Sequence, residues 1–177
     1  MNAAIAAFAR SAAHTLILTA VLLVCGLVTR PLALASDLYA FHAVLMALPS
    51  ACALASFLHA TGNAIACASA VCLFAAVLGA MSPVMGLAAL VPLMPTGLVW
   101  VLARRTSPRN RARAAGFAYG ALYYPCTVGL SSLGGALALV PDGSVVAKLL
   151  LSVVLGAALS GLGAFLSPER LHGGEGS

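Results

Sequence analysis

Charge is what this chain has least of. Of its 177 residues, 7% are Asp, Glu, Lys or Arg, against about 25% in an ordinary soluble domain. A surface so poor in ionised groups would not hold a globular protein in water, so that class is excluded. No Asp, Glu, Lys or Arg falls near the middle of any long apolar run. Such residues mark proton relays and ion paths inside membranes, so their absence argues against a proton-coupled pump acting alone and against an enzyme. Bulky aromatic side chains are also scarce, with a single Trp, whereas Ala and Gly abound. Helices in lipid gain little from a hydrophobic effect between one another and associate through small residues that let backbones approach. The cysteines (Cys25, Cys52, Cys67, Cys72 and Cys126) contain no C-x-x-C pair and all lie in apolar segments. They read as small hydrophobes and not as a redox couple.

The charge that is present is concentrated. Five of the nine basic residues, Arg104, Arg105, Arg109, Arg111 and Arg113, fall within ten positions between long uncharged blocks. Cytoplasmic loops retain Lys and Arg because carrying them across a bilayer during insertion is unfavourable. A net charge of +5 would suggest nucleic acid in a soluble protein; arginines gathered at one membrane face point to topology and anionic headgroups instead, with no nucleic-acid partner.

A spanning helix needs about 20 apolar residues, and six such segments fit. The first covers about residues 3–28 and is ended by Thr29-Arg30-Pro31, because proline cannot continue the ladder. Its Arg10, apolar run and Ala33-Leu34-Ala35 resemble a secretory signal, but the run is long and Arg30 stands in the cleavage region, so it is read as a retained helix. Asp37 caps the second segment, about 38–59, which carries a kink at Pro49. Thr61-Gly62-Asn63 is a tight turn. The third segment runs to Ala80, Met81-Ser82-Pro83 turns into the fourth, and the fourth ends at the arginine loop. The fifth covers about 112–139, a turn follows at Val140-Pro141-Asp142-Gly143-Ser144, and the sixth runs to Leu166. The expected fold is all-α: a polytopic integral membrane protein, residues 1–167 forming a bundle of six transmembrane helices, with a polar tail at 168–177. Both termini are cytoplasmic, and the arginine side then holds seven basic residues against two, Arg30 and Lys148, outside.

Two kinds of constellation stand out. In the sixth segment Ser152, Gly156, Ser160 and Ala164 recur every fourth residue, the first segment carries Ala3/Ala7 and Ala9/Ala13, and the fifth carries Gly116/Gly120. These stripes either pack inside the bundle or form a docking surface for a second membrane protein. Towards the outer end lie Tyr39, His42, Met81, Ser82, Met85, Tyr123, Tyr124, Thr127, Ser131, Ser132 and Asp142. Tyr and Met can line an adaptable apolar cavity in which a few hydroxyls orient a ligand. His14 and His59 lack the further ligands of a metal or haem site. No cofactor is expected. Gly129-Leu130-Ser131-Ser132 is distantly similar to the serine motif of six-helix rhomboid-type proteases, but no histidine in the last two segments could activate a serine.

The whole chain resembles the substrate-binding S component of an energy-coupling factor (ECF) transporter. The resemblance rests on length, six spans, both termini inside, the alanine-rich start Ala3-Ala4-Ile5-Ala6-Ala7-Phe8-Ala9, and the basic loop between the fourth and fifth segments. It implies a non-catalytic subunit of the cell's inner (plasma) membrane that captures a vitamin or other micronutrient near the outer face. It further implies docking on a membrane coupling protein driven by two cytoplasmic ATPases, through Ala9, Ala13 and the stripe Ser152, Gly156, Ser160 and Ala164. The substrate side would be Tyr39, His42, Met81, Met85, Tyr123, Tyr124, Thr127, Ser131 and Asp142. The start Met1-Asn2-Ala3 lacks the Met-His beginning of the cobalt and nickel members, so no metal is expected; with no charged pocket residue other than Asp142, Lys148 or Arg30 at the rim, the ligand is expected to be neutral or weakly charged. The alternatives are a self-contained homo-oligomeric permease or channel, and a non-transporting structural subunit.

Overall fold

The computed structural model describes residues 2–35, 42–133 and 143–166, and every regular element among them is helical. In chain order these are α1 (Asn2–Ala35), α2 (His42–Thr61), α3 (Ala64–Met81), α4 (Pro83–Leu90), α5 (Leu93–Leu102), α6 (Pro108–Leu133) and α7 (Gly143–Phe165), with one 3-10 turn, Ala103–Arg105, ahead of α6. Among the described residues three stretches are long and apolar enough to cross a membrane: Phe8–Thr29, Ala64–Met81 and the joined α4–α5 run Pro83–Arg105. Each buries only about a third or less of its most apolar window inside the protein. Phe8, Ile65, Met94 and Leu102 are among the large apolar side chains left exposed, an outer surface suited to hydrocarbon and unsuited to water.

The local chemistry of the turns follows the sequence. Gly62 takes φ +62°, the left-handed geometry that glycine adopts without a Cβ penalty at a helix C-terminus. Asn63 then caps α3, its Oδ1 accepting from the Ala66 N–H at 3.0 Å. Pro83 opens α4, where its missing N–H costs nothing. Two boundaries differ from expectation: α6 begins at Pro108 and not near 112, so Arg109, Arg111 and Arg113 lie on its first turns and not in a loop, and α1 does not stop at Thr29-Arg30-Pro31 but continues to Ala35. Proline removes one N–H and crowds the preceding turn, and a helix can absorb both by bending. Pro49 is likewise carried inside α2. The Asp37 cap, residues 140–142 of the last turn and the 168–177 tail lie outside the described residues.

The centre of the bundle is a three-helix junction of α2, α6 and α7 built from missing side chains. A Cβ on Gly120 would stand 2.5 Å from Ser160 Oγ and 2.7 Å from the Ala47 carbonyl oxygen. One on Gly116 would meet the Ala51 carbonyl oxygen at 2.5 Å, and one on Gly163 would collide with the Leu48 carbonyl. Backbones therefore touch across both interfaces, as small residues permit. Ser160 is fully buried there and donates to the Phe117 carbonyl at 2.8 Å. A second close approach joins α3 to α4, where a Cβ on Gly86 would lie 2.7 Å from Gly79 Cα. Around these contacts lies a core that includes Leu18, Leu22, Met46, Leu54, Val71, Phe74 and Tyr119.

α1 is held differently, by hydroxyls. Thr15 and Thr19 are buried. Each Oγ1 lies within bonding reach of two carbonyls: Ser11 at 3.0 Å and Ala66 at 3.3 Å for Thr15, Thr15 at 2.8 Å and Ala70 at 3.2 Å for Thr19. Asn63 Nδ2 adds a bond to Ser11 Oγ at 3.3 Å.

These contacts also sort the helix ends. The Ser11–Asn63 bond brings the start of α1 to the α2–α3 turn. Gly116 against Ala51 and Gly120 against Ala47 run α2 and α6 antiparallel, which sets the beginning of α6 at that same end. Arg113 reaches the Phe165 carbonyl at 2.8 Å, adding the end of α7. One end of the bundle thus gathers Arg10, the 104–113 loop and the close of the last helix.

The junction generates a prediction. Gly163→Ala drives a methyl group into the Leu48 backbone and should lower stability by about 1–3 kcal/mol, the usual cost of overpacking. Gly97→Ala, which meets nothing within 4 Å, should leave the melting temperature in detergent unchanged. Equal melting temperatures for the two variants would refute the close approach.

Candidate functional site

Between α4 and α5 the helical ladder is interrupted at Val91 and Pro92, although both residues keep helical dihedrals. The cause is a pair of prolines three residues apart. Pro92 has no N–H to give the Ala88 carbonyl and Pro95 none to give the Val91 carbonyl. Val91 N–H still reaches Leu87 at 3.0 Å and Thr96 N–H reaches Pro92 at 3.1 Å, so the rod stays continuous while losing rungs. Thr96 Oγ1 also donates to the Pro92 carbonyl at 2.7 Å. Tyr119 of α6 comes to the same place: its ring is wholly buried and its hydroxyl donates to the Ala89 carbonyl at 3.0 Å. The Tyr123 ring follows one turn along at 6.1 Å, also buried. This is a polar seam across an otherwise apolar contact of α4–α5 with α6. Discontinuous helices in membrane proteins supply backbone carbonyls to ligands at such seams.

Some residues expected to bind substrate flank this seam and others do not. Tyr123 lies in the core beside Tyr119. Thr127 stands one turn further along α6 and spends its hydroxyl proton on the Tyr123 carbonyl at 2.8 Å. Met85 lies half-buried on α4. Met81 ends α3 with 66% of its surface exposed, so it does not line the buried seam. His42, Tyr124 and Ser131 fall within α2 and α6, but their side chains are outside those described; Tyr39 and Asp142 lie wholly outside the described residues. Tyr119 and the Pro92/Pro95 interruption were missed in the sequence. The available signal was two prolines three apart inside an apolar span.

The expected docking stripe divides. Gly156, Ser160 and Ala164 are buried; α2 and α6 pack against α7 and cover this face, so these residues serve the bundle and offer nothing to a partner. The reason is chemical as well as steric, since the Ser160 hydroxyl finds its acceptor only inside, on Phe117. Gly116 and Gly120 are enclosed in the same junction and cannot mediate homo-oligomer contacts. The side chain of Ser152 lies outside those described. Ala9 and Ala13 are exposed, and so are Ala6 and Ala20. At 100° per residue these four fall on one side of α1, opposite Thr15 and Leu22.

The five loop arginines also divide. Arg111 stacks on the Trp100 ring, 3.7 Å from guanidinium carbon to centroid, and its Nε donates to the Trp100 carbonyl at 2.7 Å. Arg113 lies 4.9 Å over the Phe165 ring. These two tie the start of α6 to the ends of α5 and α7. Arg104 and Arg105 are exposed. His14 meets Phe57 edge-on at 6.2 Å. Among the described residues no three His, Cys, Asp or Glu side chains come together as a metal site would require.

No protein-family model matches the chain, and neither curated proteins nor solved structures show a significant match to it.

Two variants probe these contacts. Tyr119→Phe keeps the ring and removes the bond to Ala89, so it should cost about 0.6–1.7 kcal/mol, the range for interhelical hydrogen bonds in lipid, and speed amide exchange around Pro92. Unaltered exchange there would show that the hydroxyl does not hold the interruption. Arg111→Lys loses the planar stack and the Nε bond, so emission from Trp100, the only tryptophan, should change in wavelength and quench rate. An unchanged spectrum would contradict the stacking.

Proposed function

We propose that the chain crosses the inner membrane six times, with both termini and the 104–113 loop in the cytoplasm. In this reading it is the substrate-binding subunit of an ATP-driven uptake transporter of the ECF type. The observation that carries the reading is α1. It packs against α2 and α3, bonded to α3 through Thr15 and Thr19, and turns its alanine side, Ala6, Ala9, Ala13 and Ala20, away from the bundle. Exposed small residues gain little from lipid and suit close contact with another helix. That contact belongs to a coupling membrane protein, and the arginine end faces its cytoplasmic ATPases. The ligand is a small neutral or weakly charged micronutrient. It enters from the end opposite the arginines and is held between α4 and α6 near Met85, Tyr123 and Thr127, where apolar surface and a few carbonyls and hydroxyls offer orientation without charge.

The interruption at Val91–Pro92 favours a second reading, a self-contained permease that binds and releases its ligand at the polar seam. Partner capture and flux separate the two. An affinity-tagged chain taken from native membranes should bring down a multispan coupling protein and ATPase subunits. Ala9→Leu/Ala13→Leu should reduce that recovery at least tenfold while leaving the melting temperature unchanged, because both positions are exposed. Ser160→Leu should instead unfold the bundle. Full recovery with the alanine variant, or capture without any ATPase, would rule out the docking reading. Ligand flux in liposomes containing this chain alone would establish the permease.

A further inference from the structure

We propose that Arg104 and Arg105 form a selective binding site for the phosphate of anionic phospholipids at the cytoplasmic rim. This inference rests on the membrane reading above but not on the transport reading.

The first ground is the division of labour among the arginines. Arg111 and Arg113 are engaged with Trp100 and Phe165, whereas Arg104 and Arg105 project from the turn Ala103–Arg105 as exposed side chains. The second ground is charge. The described residues contain no Asp or Glu, so neither arginine can be neutralised within them. All four acidic residues are Asp37, Asp142, Glu169 and Glu175. Asp37 and Asp142 lie far from Arg104 in the sequence and outside the described residues. Glu169 and Glu175 flank Arg170, so the tail carries little net negative charge to set against the loop.

The third ground is depth. Arg104 follows directly on the exposed apolar side chains Leu98, Val101 and Leu102 of α5. Within one helical turn the surface changes from hydrocarbon-facing to guanidinium. That is the spacing at which a lipid phosphate sits above its acyl chains, so one lipid can satisfy both. Guanidinium groups match phosphate oxygens in pairs. In the membrane reading headgroups crowd the surface at this depth, where a soluble acidic partner would have to compete with them, so the lipid is the occupant.

The test reconstitutes the full chain in nanodiscs holding equal phosphatidylglycerol and phosphatidylcholine with identical acyl chains. Native mass spectrometry then counts the lipids retained after mild activation. Wild type should retain phosphatidylglycerol preferentially. Each arginine neutralised should lower that preference about fivefold at low salt, so Arg104→Gln/Arg105→Gln should bring it close to parity. Both positions are exposed, so folding should survive, and Trp100 emission checks that the Arg111 stack is intact. Equal retention of both lipids by wild type would overturn the inference, as would an undiminished preference in the double variant. Preference appearing only in Glu169→Gln/Glu175→Gln would show the tail carboxylates neutralising these arginines and would overturn the inference. Stripping of phosphatidylglycerol by millimolar glycerol phosphate would make it a soluble-phosphate site. A chain that does not enter nanodiscs defeats the membrane reading itself, whereas one that enters without lipid preference defeats only this inference.

Discussion

Everything else in this fold is arranged around the backbone contact of α2 with α6 and α7. Gly116 and Gly120 lie against the carbonyls of Ala51 and Ala47, and Gly163 lies against Leu48. A bundle with few large buried side chains cannot rely on interdigitated bulk. It gains cohesion from the many weak attractions of closely apposed main chains. The contact is intolerant in a way an apolar core of leucines is not, because the atom in the way is backbone and cannot change rotamer. It also fixes the antiparallel run of α2 and α6. That in turn carries Tyr119 to the α4–α5 interruption and Arg113 to the end of α7.

Against this rigid centre, the periphery is held by polar handles. α1 is attached through threonine hydroxyls, and α5 and α7 are attached at the arginine end through guanidinium–ring contacts. The two small-residue stripes differ in the same way, one enclosed on α7 and one turned outward on α1. The Val91–Pro92 interruption adds a place where an apolar rod presents main-chain oxygen, with Tyr119 holding one of those carbonyls in register.

Much of the architecture was legible in the sequence. The all-helical class, the turns at 61–63 and 82 and the proline inside α2 all follow from local chemistry: runs of apolar residues, glycine and asparagine at a turn, proline at a helix start. The facing of the helices was not legible. In water a polar residue marks the outside, but in lipid both inside and outside are apolar, so the Gly156/Ser160/Ala164 and Ala9/Ala13 stripes look equivalent until the bundle is assembled. Pro31 and the Pro92/Pro95 pair failed for another reason. Whether proline ends a helix or is carried within it depends on what else can accept or replace the lost bond. Beside the second, a tyrosine hydroxyl from α6, remote in sequence, holds the neighbouring Ala89 carbonyl. The outer-end residues divide on the same ground, because Tyr123 is buried and Met81 exposed with nothing in their local context to distinguish them.

The threonine pair on α1 bears on how such a chain is made. Each hydroxyl can donate backward within α1, Thr15 to Ser11 and Thr19 to Thr15, before any other helix exists. The acceptors on α3, Ala66 and Ala70, lie 51 positions later and are synthesised only after the threonines that bond to them. A serine or threonine that has its own carbonyl within reach can wait in hydrocarbon without an unsatisfied proton, whereas an asparagine at the same position would retain unmet donors. The choice of hydroxyl over amide lets α1 satisfy these donors on its own carbonyls, so the approach of α3 adds acceptors without first having to rescue an unpaired proton.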